Sequence, residues 1–136
     1  MNELYNDFIE QIKEKSKSNN IIINYMNNDS IDYKSNDSII DIKEYKKDFL
    51  TIGVVLLRKD IIKPIDYSDV DNIEIKSELK FYSKILLIDN KYEIDNIMVK
   101  SFDNLEDAKD YYNYLSDIIQ DNDLQNLLKI LKDNIK

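Results

Sequence analysis

The chain has 136 residues, 43% of them hydrophobic and 34% charged, with 27 acids against 19 bases and a formal charge of −8. That length suits a single domain with a sizeable core. Histidine, cysteine and tryptophan are absent, and Gly53 and Pro64 stand alone. The first two absences exclude thiolate nucleophiles, disulfides, thiolate zinc sites and imidazole general bases, and one glycine excludes a glycine-rich phosphate cradle.

Isoleucine, lysine, asparagine and tyrosine fill about half of all positions. All four have A/T-rich codons, so the bias reads as a genomic signature rather than a functional one. The acidic balance repels phosphate backbones and anionic lipid, which argues against direct nucleic-acid or membrane binding. Met1-Asn2-Glu3-Leu4 lacks the basic start and apolar stretch of a signal peptide, so a cytoplasmic location is expected.

Residues 3–17 read as a helix capped by Asn2, with Leu4, Tyr5, Phe8, Ile9 and Ile12 on one arc. The period then changes from 3.6 to 2. Strands are expected at 21–26, 31–34 and 39–45, separated by Asn/Asp/Ser turn clusters. Phe49 to Leu57 is apolar on both faces, as a central strand would be, and Val54, Val55, Leu56 and Leu57 should all be buried. Residues 73–79 alternate as a half-exposed strand. Phe81 to Ile88, Asp89-Asn90 and Tyr92 to Phe102 then read as a hairpin. The helical period returns at about 104–119, with Asp103 and Glu106 as a capping box. A last helix, capped by Asp121 or Asn122, carries Leu124, Leu127, Leu128, Leu131 and Ile135. The expected fold is α+β over residues 1–136. One helix precedes an antiparallel sheet of five to seven strands, and two C-terminal helices pack on that sheet.

Three features are candidate sites. The first is an acidic row: residues 101–123 contain seven acids and a single base, Lys109. On a helical projection Asp103, Asp107, Asp110, Asp117 and Asp121 share one side with Tyr114, opposite an apolar side that takes in Tyr111 and Tyr112. Such a row has the charge to occupy a basic groove in place of nucleic acid, while the ordinary reading is a solvated face. The second is the stretch Arg58 to Asp71, read as a long connection that holds the only arginine and the only proline and offers Ile61, Ile62, Ile65 and Tyr67 as contact residues. Its alternative is an extra edge strand or short helix over 59–65.

The third is a weak nuclease-like pattern, Asp66 with Glu74 and Lys76, whose carboxylates would hold Mg²⁺ if they approached within about 5 Å. Glu-x-Lys also occurs at Glu44/Lys46 and Glu78/Lys80, so chance explains it. The expected function is therefore non-catalytic and free of cofactors and metals. It is that of a small acidic protein that blocks a protein or nucleoprotein with a basic surface. Immunity proteins and viral counter-defence proteins of the anti-CRISPR kind share that size and charge. A structural or adaptor subunit is the alternative, and a Mg²⁺-dependent carboxylate hydrolase stands third.

Overall fold

The computed structural model describes residues 3–25, 38–65 and 74–135, with the side chains of 17–19, 25, 61–65 and 74–77 left aside. Along the chain run α1 (Glu3–Asn19), β1 (Ile22–Tyr25), β2 (Ser38–Lys47), β3 (Leu50–Ile65), β4 (Glu74–Ile88), β5 (Tyr92–Phe102), α2 (Leu105–Asp121) and α3 (Leu124–Asp133). Among the described residues the strands form one antiparallel sheet in the order β1-β5-β4-β3-β2. The architecture is α+β, with the helices packed on the sheet. The expected strand at 31–34 and the Asn2 cap lie outside the described residues.

Helix α1 forms because Tyr5, Phe8, Ile9 and Ile12 recur at helical spacing and bury one stripe. It stops where Asn20 enters the left-handed region (φ 58°), from which the Ile21 N–H returns to the Ser16 carbonyl at 3.0 Å. The core joins that stripe to Leu50, Ile52, Val54 and Leu56 of β3, Ile85 and Leu87 of β4, Ile94 and Ile97 of β5, and the apolar faces of α2 and α3. Val55, Leu57, Leu86 and Ile88 point to the other sheet face and are also buried, so Val54 to Leu57 is covered on both sides. Each such side chain contributes roughly 1.5–3 kcal/mol of burial free energy.

Two readings change here. Arg58 to Asp71 is not one long connection, because β3 continues through Ile65 and pairs with β4 from Glu74 onward. The segments expected as separate strands at 73–79 and 81–88 are accordingly one strand, β4. Charged residues at 58–60 and 76–80 interrupt the apolar pattern, but the backbone pairing runs through them, from Arg58 opposite Phe81 to Ile65 opposite Glu74. At 16 residues β3 is about 53 Å long, twice the length of a 17-residue helix.

Strand β5 contains two bulges. Between Ser83 and Ile85, and again between Ile85 and Leu87, β5 uses three residues where β4 uses two. Asn96 (φ 62°) and Met98 (φ 51°) sit at these bulges in the left-handed region. Asparagine tolerates that conformation, whereas methionine has no side-chain reason to adopt it.

Candidate functional site: the acidic face of α2

Helix α2 is fixed from both ends and from below. Asn104 is its N-cap: the side-chain oxygen accepts the Asp107 N–H at 2.8 Å, and the amide donates back to the Asp107 carboxylate at 3.0 Å. The expected box of Asp103 and Glu106 is thus displaced by one residue. Asp103 is drawn away to the Lys80 ammonium of β4, and its hydrogen bond and charge hold Lys80 above the usual lysine range. At the other end Asn122 donates to the Ile118 carbonyl at 2.8 Å, and Asp123 caps α3 in place of the expected Asp121 or Asn122. Ala108, Tyr112, Leu115, Ser116 and Ile119 are buried against the sheet. The Ser83 hydroxyl donates to the Ala108 carbonyl at 2.7 Å and ties the helix to β4.

This packing turns the acidic side outward. Asp103, Glu106, Asp107, Asp110, Asp117 and Asp121 are all exposed. Asp103 precedes the helix and Asp107 is engaged at the cap, so the row that α2 itself presents runs from Asp107 to Asp121, about 21 Å. Asp110, Asp117 and Asp121 have no hydrogen bond or ion pair with any described residue. Tyr114, 54% exposed, stands among them. Its ring meets Tyr111 at 5.9 Å between centroids, and Tyr111 in turn meets Phe102 at 5.7 Å. Tyr111 is held in place: its hydroxyl donates to the Met98 carbonyl at 2.6 Å, and the Lys100 ammonium lies 4.9 Å above its ring. Burial, then the neighbouring Tyr114, pushes the Tyr111 phenol up to about 12.

The charges on α2 do not follow the helix dipole. Glu106 and Asp107 in the first turn complement its positive end, but Asp117 and Asp121 lie toward the negative end, where the last turn holds no base. Only Asp121 falls within the last turn, where an acid costs at most about 0.3–1 kcal/mol at low salt, and the N-terminus of α3 that follows at Leu124 offsets part of it.

The other sequence candidates do not join this row. Arg58 sits on β3, half exposed, 3.6 Å from Asp60. Ile61 and Ile62 stand on the same strand opposite Glu78 and Ser77. Tyr67 and Asp66 lie outside the described residues. Glu74 opens β4 opposite Ile65, and Lys76 stands opposite Lys63. Among the described residues no group of three or more acids is arranged to hold a metal ion, and no helix is long and apolar enough to cross a membrane.

The sequence reading missed a cleft at one end of the sheet, between α1 and two hairpin tips. Its residues are scattered along the chain (Tyr5, Ile9, Phe49, Asp89, Tyr92), so no local pattern marks it. No protein-family model, curated protein or solved structure matches this chain.

Proposed function

We propose that the protein is a non-catalytic inhibitor that works in a cytoplasm. It binds a protein or nucleoprotein with a basic surface through the outer face of α2, with Asp110, Asp117 and Asp121 around Tyr114. The observation that carries this reading is the continuous row of Asp110, Asp117 and Asp121, exposed and without a partner among the described residues, on a well-anchored helix. Tyrosine at the centre of the row supplies an amphipathic anchor, and the carboxylates supply steering and register.

The test uses the variant carrying Asp117→Lys and Asp121→Lys. Reversing these charges should raise the unfolding free energy by about 0.5–1 kcal/mol at low ionic strength, because the helix end becomes complementary to its dipole. The same variant should lose the partners that wild type retains in a pull-down, with the largest difference at low salt. A variant that melts higher and still retains the same partners at equal affinity would reduce the row to solvent-facing surface.

A second reading, an oligomeric structural subunit, is favoured by exposed isoleucines at both sheet edges. Ile22 on β1 is 47% exposed, and Ile39 and Ile40 on β2 are 36% and 40% exposed. The bulge at Ile40 and the charges of Lys43, Glu44 and Lys46 oppose edge pairing. Static light scattering separates the two readings, since a strict monomer is incompatible with the subunit.

A further inference from the structure

The cleft beside α1 has a volume of about 620 Å³ and shares no residue with the acidic row. Tyr5, Ile9 and Lys13, one helical turn apart, line it from α1. Phe49 enters from the β2–β3 turn, and Asp89 to Tyr92 from the β4–β5 turn. Its size falls in the range of small-molecule pockets, which combine aromatic walls with a few polar groups. Phe49 stands edge-on to Tyr5 at 5.0 Å and is 43% exposed, although Leu50, which follows it, is fully buried.

Most charges around the cleft are already committed. The Asp89 carboxylate accepts the Tyr5 hydroxyl on one oxygen and the N–H groups of Lys91 (2.6 Å) and Tyr92 (2.7 Å) on the other. Glu10 lies 3.6 Å from the Lys13 ammonium, which sits 5.3 Å above the Tyr92 ring. What remains at the mouth is the exposed Lys91 ammonium, which has no partner among the described residues. The exposed amides of Asn6 and Asn90 flank the same cleft.

From these observations we infer that the cleft binds an aromatic carboxylate, its ring packed against the open sides of Phe49 and Tyr92 and its carboxylate at Lys91. Aromatic walls favour a flat ring in offset or edge contact, and an uncommitted ammonium favours one anionic oxygen pair. The net charge of −8 opposes an anion at long range, but screening limits that field to about 8 Å at physiological ionic strength. The carboxylate can come from a free aromatic acid or from an aromatic residue at a peptide C-terminus.

Because the chain has no tryptophan, an indole probe reports its own binding through fluorescence anisotropy. The probes are indole-3-propionate, 3-methylindole, and the peptide Gly-Gly-Trp with a free or an amidated C-terminus. Indole-3-propionate should bind saturably and more tightly than 3-methylindole. Lys91→Gln should weaken indole-3-propionate about threefold and leave 3-methylindole unchanged. Phe49→Ala should weaken both, and its exposure lets the variant fold. Tighter binding of free Gly-Gly-Trp than of indole-3-propionate, abolished by amidation, identifies a peptide terminus, and the reverse order identifies a free acid. The inference is overturned by the absence of saturable binding at millimolar probe, by equal affinity for 3-methylindole, or by an unchanged affinity in either variant.

Discussion

Two adjacent tyrosines of α2 show how much one hydrogen bond changes the role of a residue. The Tyr111 hydroxyl is satisfied by the Met98 carbonyl, at a residue held with φ of 51°. Tyr112 is 3% exposed, and its hydroxyl makes no well-formed hydrogen bond with a described residue, although the Asp41 carboxylate stands within its reach. Burial, then the Asp41 carboxylate beside it, pushes that phenol up, and Lys43 lies 5.3 Å over the ring. Deleting the two hydroxyls should therefore act in opposite directions. Tyr111→Phe leaves a half-buried carbonyl unpaired and should lose about 1 kcal/mol, whereas Tyr112→Phe should be neutral or stabilising by up to about 1 kcal/mol. Urea denaturation measures both, and a loss on Tyr112→Phe would show that the contact with Asp41 holds the helix. The helical projection already places Tyr111 and Tyr112 toward the core and Tyr114 outside. It carries no information on which hydroxyl finds an acceptor, because that acceptor sits on another element.

At the scale of elements, the ends are where sequence reasoning slips. Asp103 and Asn104 are both competent caps, and β5 decides between them by delivering Asp103 to Lys80. Asn104→Ala should cost about 1 kcal/mol of stability, while Asp103→Ala should stay within about 0.5 kcal/mol, since an exposed ion pair is worth little. Thermal unfolding of the two variants side by side checks the assignment, and equal losses would contradict it. The bulges of β5 are a second such case. Ile94 and Ile97 are an odd number apart, so strict alternation puts them on opposite faces, yet both are fully buried in the helix-side core. The extra residue in β5 restores the side, and its signal in the sequence is only the break in period.

Across the whole molecule, alkaline pH is the lever that the buried phenols provide. Tyr5, Tyr111 and Tyr112 are each raised above the ordinary tyrosine value, first by burial, and Lys80 is raised by Asp103. A folded-state pKa above the unfolded one means that the fold favours the protonated form. That contribution is complete below pH of about 10 and is lost as pH climbs through the raised values. The thermal midpoint should be level between about pH 7 and 9 and fall steeply above 10. Ultraviolet titration should show part of the ten tyrosines ionising only as the protein unfolds. Complete ionisation near pH 10 with the fold intact would mean that these rings are open to solvent.

The residue pattern alone determined the α+β class with one helix before the strands and two after, the apolar sides of all three helices, the burial of Val54 to Leu57 and the outward row on α2. Each rests on a local period, and local periods are written in consecutive residues. Tertiary structure decided the rest. It put β1 and β2 at opposite edges of the sheet and joined two half-polar segments into β4 through pairing with the far end of β3. It also moved both caps and gathered Tyr5, Phe49 and Tyr92 around one cleft. These outcomes depend on which surfaces bury each other across long stretches of chain, and that free energy belongs to the packed sheet and helices rather than to any segment of the sequence.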